Sequence, residues 1–168
     1  NQYQINLQTL RLSIFTAVSI LTTTGLSTEN FNEWPEISRT LLFFILFIGG
    51  SAGSTTGGMK IIRLILVFRY LKYELRKLLH PKGVFNITIG NKNISDDVVR
   101  TTLGFYLFYI FIFIFCSILL STTGLDMVSA LSASAAAIGN IGPGLGTVGP
   151  LDNWGHLTDL AKWITSIC

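Results

Sequence analysis

The ten residues Ser19 to Thr28 read SILTTTGLST and decide how the rest of the chain is interpreted. They follow an apolar, helix-like run, but threonine is stiff at χ1 and glycine adopts conformations that other residues resist, so the segment is poor helix material. Irregular backbone inside a membrane is tolerated only where protein buries it or where it lines a water-filled path. One use of such a segment is to direct carbonyl oxygens and threonine hydroxyls at a dehydrated cation. The sequence therefore predicts an ion filter here.

The composition indicates a membrane protein. The chain has 168 residues, of which 49% are hydrophobic and 12% charged, and its mean hydropathy is +0.55. A typical soluble domain carries about 25% charged residues. The net charge of +3 does not indicate a nucleic-acid partner, because seven of the twelve Lys and Arg residues lie in one stretch, between Lys60 and Lys82. Membrane lipid is the partner that this composition predicts.

The segment around the filter stretch is too short to cross a bilayer. Residues 12–28 are uncharged, but their helical part ends at the threonines, and a spanning helix needs roughly 20 apolar residues. We predict a re-entrant pore helix over 7–21 and a filter over 22–26. A buried helix with a threonine-rich cap is the alternative reading.

A second irregular stretch interrupts the next helix. An apolar helix is predicted from Glu36 to Ile48, and the pattern resumes at Met59 and continues to about Leu79. Between them lie five glycines that a helix would not favour: Gly49, Gly50, Gly53, Gly57 and Gly58. We interpret 36–79 as one broken membrane helix, an element that transport proteins place at binding sites and gates. A nucleotide-binding phosphate loop is rejected, because Met59 separates the last glycine from Lys60 and Ile61 replaces the required Ser or Thr.

The basic stretch between Lys60 and Lys82 predicts how the chain is oriented in the membrane. By the positive-inside rule the end of the helix that carries these charges is cytoplasmic. His80-Pro81 ends the helix, and the segment 80–95 is predicted to form a cytoplasmic hairpin linker around Gly90-Asn91. Ser95 is predicted to cap the helix that follows, with Asp96 and Asp97 at its positive end.

The remaining residues repeat the order of the first unit. Residues 103–120 form the clearest membrane span, and 126–138 form a short Ala- and Ser-rich helix. A glycine-rich segment, a polar loop with Asp152 and Trp154, and an apolar helix near Leu157 follow. We read the two cysteines, Cys116 and Cys168, as small membrane-buried hydrophobes. The sequence shows neither a catalytic constellation nor a metal-ligand spacing, so an enzyme is not predicted.

Four motifs give the chain a resemblance to a known family. It resembles the carboxy-terminal half of the bacterial Trk potassium-uptake membrane subunit, in the Trk/Ktr/HKT superfamily. The resemblance covers nearly the whole chain. The matching motifs are Thr22-Thr23-Thr24-Gly25, residues 49–60 continuing into Ile61-Ile62-Arg63, His80-Pro81, and Asn140-Ile141-Gly142-Pro143-Gly144.

The resemblance implies an all-α membrane protein built from membrane helix–pore loop–membrane helix repeats with re-entrant pore helices. Residues 1–79 would be the third repeat without its first helix, and 96–168 the fourth repeat with a truncated last helix. Potassium would bind through filter residues and the backbone carbonyls of Thr23, Thr24, Asn140 and Ile141. The key glycines would be Gly25 and Gly142, with Gly139 close enough to the latter to leave the register open.

The resemblance also implies a gate and partners. The gating loop would be 49–58, below the filter. The complete chain would form a homodimer in the bacterial cytoplasmic (inner) membrane as a multi-pass protein. A cytoplasmic nucleotide-binding regulatory subunit would meet the basic segment. Potassium would be the transported ligand, with no covalently bound cofactor. A sodium or mixed-cation transporter and a non-transport membrane scaffold are the alternatives.

Overall fold

The computed structural model describes residues 6–80, 83, 86–90 and 92–168. Within these ranges the chain is mainly helical, with two very short sheets and three single 3₁₀ turns at Phe31–Glu33, Gly146–Val148 and Trp154–His156. The helices are α1 Leu7–Leu21, α2 Glu36–Ile45, α3 Ile61–Leu79, α4 Asp96–Ser121, α5 Met127–Ile138 and α6 Asp159–Ile167; the strands are β1 Ile48–Gly49, β2 Met59–Lys60, β3 Thr88–Ile89 and β4 Lys92–Asn93.

Helix α4 agrees with the predicted membrane span. It has 26 residues with a mean hydropathy of 2.5 over its most apolar window, and it is the one helix of the described residues long and apolar enough to cross a bilayer. Large apolar side chains on it are exposed, including Leu107 at 71% and Phe111 at 64%. An apolar helix that leaves such side chains uncovered is suited to contact with lipid.

The break between α2 and α3 is longer than the sequence predicted. Helix α2 ends at Ile45, not at Ile48, because the Phe47 carbonyl accepts a hydrogen bond from the Met59 amide at 3.0 Å. Strands β1 and β2 then pair in parallel, and α3 begins at Ile61, not at Met59. The described residues are thus helix-rich, in line with the expected all-α class, and their strands form two short pairs, this one and the antiparallel pair of β3 with β4.

Two predictions concern the residues just before α4, a hairpin and a helix cap, and only the hairpin is observed. The predicted hairpin forms, with Gly90 at its turn in the left-handed region (φ 60°), whereas Asn91, Pro81 and Lys82 lie outside the described residues. The predicted cap by the Ser95 side chain is wrong. The Val98 amide, which a capping hydroxyl would engage, donates instead to the Ser95 carbonyl at 3.1 Å.

Two apolar clusters place the short helices. The first joins the two halves of the chain, since Ile20 of α1 and Leu42 of α2 pack with Ile141, which follows α5. The second packs α4, α5 and α6 around Leu120 and Ala133, both fully buried. Small residues on α5 permit this close approach of helices. The cysteines also join α4 to the end of α6, because the sulfur atoms of Cys116 and Cys168 lie against each other.

Candidate functional site

The predicted filter of the first unit is a turn that closes the end of α1. Thr22 keeps helical geometry, and Thr23 then adopts a left-handed conformation with φ 54°. The Thr23 amide donates to the Ile20 carbonyl at 3.0 Å, and the Thr24 amide donates to the Ser19 carbonyl at 2.9 Å. This pair of bonds is the Schellman pattern of a helix end, here with a threonine where glycine is usual.

The end of α5 repeats this turn residue for residue. Asn140 has φ 50°, its amide donates to the Ala137 carbonyl at 3.0 Å, and the Ile141 amide donates to the Ala136 carbonyl at 2.9 Å. Two residues after each left-handed residue comes a glycine with positive φ, Gly25 at 71° and Gly142 at 110°. In this backbone register Gly142 is the counterpart of Gly25, and Gly139 is the counterpart of Thr22.

The two turns touch through their backbones. A Cβ atom placed on Gly25 would lie 2.0 Å from the Ile141 carbonyl oxygen, so this contact requires glycine. The Thr22 hydroxyl is engaged locally, because it donates to the Val18 carbonyl at 2.7 Å. Hydrogen bonds among the described residues use none of four carbonyl oxygens in these turns: those of Thr23, Thr24, Asn140 and Ile141.

Buried serines of α5 hold the segment that follows the second turn. The Ser132 hydroxyl donates to the Leu145 carbonyl and accepts from the Leu145 amide, both at 2.9 Å. The Ser129 hydroxyl accepts from the Thr147 amide at 2.8 Å. Both serines are fully buried. In the first unit one bond has this role, from the Ser19 hydroxyl to the Leu26 carbonyl at 2.6 Å.

The glycine-rich break folds around a lysine. The Lys60 ammonium donates to the Ser54 carbonyl at 2.9 Å and also to the Thr56 carbonyl. The Thr56 hydroxyl in turn accepts from the Gly50 amide at 2.8 Å. No bonds within the loop were predicted for Lys60 from the sequence. Its position two residues after an uncharged glycine-rich run was the signal that could have singled it out.

The same loop reaches the second turn. A Cβ atom on Gly57 would lie 2.0 Å from the Gly139 carbonyl oxygen, whereas one on Gly53 would meet nothing within 4 Å. Of the remaining predicted loop residues, Gly49 packs against the Gly57 carbonyl, and Gly58 adopts φ 68°. The loop therefore lies against the carboxyl end of α5.

Charged side chains of α2 and α3 make contacts of their own. Arg69 donates to the Thr88 carbonyl and so ties α3 to the hairpin. Arg63 stacks over the Phe105 ring, 4.1 Å from its centroid. The acid Glu36 pairs with Arg39 at 2.7 Å. Among the described residues no group of three His, Cys, Asp or Glu side chains could hold a metal ion.

These features are those of a helix-rich membrane protein: the described residues contain one bilayer-length apolar helix and two short helices that end in matched turns. The chain belongs to the TrkH family, described as cation transport proteins, whose family model matches residues 4–167.

Individual relatives match almost the whole chain. The Trk system potassium uptake protein TrkH of Salmonella typhimurium is 39% identical over 164 residues, which cover 98% of this chain and 34% of that protein. The protein of the same name from Vibrio parahaemolyticus is 43% identical over 152 residues, which cover 90% and 31%. The crystal structure of the potassium transporter TrkH from Vibrio parahaemolyticus superposes with a TM-score of 0.85 at 42% identity, over 94% of this chain and 33% of that one. The chain thus spans about a third of the length of these relatives.

Proposed function

We propose that this chain is part of the pore-forming subunit of a Trk-type potassium-uptake system. The observation that carries the proposal is the matched pair of turns, which meet at Gly25 and Ile141 and leave carbonyl oxygens without hydrogen bonds. Membership of a cation-transport family supports it. So do relatives whose names state potassium uptake.

The proposed mechanism uses the backbone of both turns. Potassium sheds part of its water and is held by the carbonyl oxygens of Thr23, Thr24, Asn140 and Ile141. Helices α1 and α5 act as re-entrant pore helices, whose carboxyl ends direct the negative ends of their dipoles towards the cation. Four unlike loops surround the ion in the complete protein, and two of them come from this chain, one from repeat 1–79 and one from repeat 96–168.

We assign the gate to the loop 49–58 within the broken helix 36–79. Its contact with Gly139 supports a position directly beside the second turn. The Lys60 ammonium supports a closed form, because a fixed positive charge bound to loop carbonyls repels a permeating cation. Several glycines let the loop change its backbone conformation at low cost.

The location and partners are part of the same proposal. The complete protein is a multi-pass protein of the bacterial inner membrane and pairs with a second copy. Its basic segment and the linker 80–95 face the cytoplasm and contact a nucleotide-binding regulatory subunit. Potassium is cargo in this scheme, no cofactor is covalently attached, and the protein is not an enzyme.

The filter assignment is tested with Gly25→Val in the complete protein. Growth of an uptake-deficient cell at limiting potassium should be lost, because the added side chain would collide with the Ile141 carbonyl and hold a strained positive φ. Gly104→Val is the matched control, since Gly104 lies in α4 and a Cβ there meets nothing within 4 Å. Membrane insertion of both variants should equal that of the wild type. Normal growth with Gly25→Val would contradict the filter assignment. Uptake of sodium in preference to potassium by the wild type would favour the sodium alternative.

A further inference from the structure

We infer that Asn32 is a positioning residue, a clamp that holds together the two segments that follow the filter turns, and that it thereby fixes the shape of the second filter turn. Asn32 lies in the 3₁₀ turn Phe31–Glu33, after the first filter. Its side chain reaches the 3₁₀ turn Gly146–Val148, which follows the second filter. The inference rests on the proposed function, because it assigns a role within that ion path.

The contact is a two-bond pairing of a side-chain amide with one backbone residue. Asn32 Nδ2 donates to the Gly146 carbonyl at 2.8 Å, and the Gly146 amide donates to Asn32 Oδ1 at 3.0 Å. A carboxamide offers one acceptor and two donor hydrogens in one plane, so it can satisfy the N–H and the C=O of one residue together. The carboxylate of aspartate lacks the donor.

The surroundings show that the place is built for this side chain. A Cβ on Gly149 would lie 2.1 Å from Asn32 Nδ2, so a side chain there would displace the amide. Gly146 has φ 71°, and a Cβ on it would lie 2.2 Å from the Ser129 hydroxyl. The turn is therefore held between a buried serine of α5 on one side and Asn32 on the other.

The clamp gives the two filter turns a second fixed point. Near the ion path they already touch where Gly25 meets the Ile141 carbonyl. Gly146 lies four residues after Gly142, and the intervening chain is bonded to Ser132 through Leu145. With both ends fixed, the carbonyls of Asn140 and Ile141 have little freedom to move apart, and a filter discriminates ions by the placement of such oxygens.

Asn32 differs from the two other asparagines in comparable positions. Asn30 accepts from the Asn32 amide, and Asn153 accepts from the Gly155 amide at 2.9 Å, so each caps its own 3₁₀ turn. The bonds from the Asn32 side chain instead cross 114 positions of sequence. A local turn-forming role, which suffices for Asn30 and Asn153, does not account for them.

The test uses the complete transporter with Asn32→Ala and with the nearly isosteric Asn32→Asp, and Asn153→Ala as the control. We measure the KM and maximal rate of potassium uptake and the ratio of potassium to sodium uptake in cells. We expect each Asn32 variant to raise KM by roughly threefold to tenfold and to lower the ion ratio, as the loss of one or two hydrogen bonds implies. Asn153→Ala should leave both unchanged.

A structural readout separates the clamp from the proposed function. Hydrogen exchange of the purified transporter should be faster in the peptide that contains 146–148 when Asn32 is replaced, and unchanged when Asn153 is replaced. If the wild type carries no potassium, the proposed function fails whatever the exchange shows. If the wild type carries potassium but the Asn32 variants keep its KM, ion ratio and exchange rates, the clamp is refuted. If the Asn32 variants lower only the maximal rate of uptake, and leave KM and the ion ratio at wild-type values, the clamp is also refuted.

Discussion

Residues 22–25 and 139–142 follow the same backbone path, but the helices that carry them are supported differently. Helix α5 buries Ser129 and Ser132 completely and packs between α4 and α6. Helix α1 leaves large apolar side chains uncovered, such as Ile14 at 55% exposed. The shared turn is therefore specified locally, at the end of each helix, whereas the support is specified by the neighbours.

The comparison predicts that the two filter glycines differ in tolerance. Gly25→Ala should reduce potassium uptake by the complete protein more than Gly142→Ala, by about tenfold or more. Both glycines have positive φ, but only at Gly25 does a Cβ also meet a backbone carbonyl, at 2.0 Å. At Gly142 a Cβ meets nothing within 4 Å. Uptake kinetics at matched amounts of membrane protein measure the difference, and equal loss in both variants would contradict it.

The gating loop contacts the second turn, which gives the next prediction. Gly57→Ala should raise potassium flux measured in vesicles without any cytoplasmic partner, by about threefold or more, because the methyl group forces the loop away from the Gly139 carbonyl. Gly53→Ala is the control in the same loop, since a Cβ there has open space. A lower flux for Gly57→Ala with normal folding would argue against a gate at this loop.

The serine supports should differ in their contribution to stability. Ser132→Ala leaves a buried amide and a buried carbonyl of Leu145 unpaired and should destabilise the protein by about 1–3 kcal/mol. Ser19→Ala removes one bond to the Leu26 carbonyl and should cost less, about 1 kcal/mol. Thermal unfolding of the detergent-solubilised protein measures both. Exposed Ser13, whose hydroxyl bonds within its own helix, provides the Ser13→Ala control. A larger loss for Ser19→Ala would reverse the comparison.

Sequence patterns predicted which helices form better than they predicted the residues at which those helices begin and end. The span in α4 and the short helices α1 and α5 were predictable because uncharged apolar runs and glycine-rich breaks are local signals. The end of α2 and the start of α3 were not, because a hydrogen bond between Phe47 and Met59 joins residues across the break. Ser95 shows the same limit, since a favourable cap residue does not guarantee a side-chain bond.

Local sequence patterns do not predict the contacts between the two halves of the chain. Asn32 and Gly146 lie 114 positions apart, and nothing around Asn32 distinguishes it from Asn30. The matched left-handed residues Thr23 and Asn140 share no side-chain chemistry that predicts their common φ. The approach of Gly25 to Ile141 likewise depends on how α1, α2 and the end of α5 pack.

The smallest expected difference in stability concerns the residues that precede the two short helices, α1 and α5. Asp126 caps α5, where its carboxylate accepts from the Ser129 amide at 3.2 Å, whereas the Asn6 side chain makes no capping bond to α1. Asp126→Ala should therefore cost about 1 kcal/mol at neutral pH, and Asn6→Ala close to nothing. Thermal unfolding of the complete protein compares them.

The same cap has a pH dependence of defined sign. Hydrogen bonding from Ser129 to the carboxylate holds the pKa of Asp126 below its ordinary value. A carboxyl with a lowered folded-state pKa stabilises the protein above its unfolded pKa of about 3.9 and loses that contribution as pH falls through the folded-state pKa. The difference in stability between wild type and Asp126→Asn, which keeps a capping oxygen but does not titrate, should therefore shrink over that acid range. A difference that stays constant there would show that the charge of Asp126 contributes nothing to the cap, and would leave the two helix starts alike in their electrostatics.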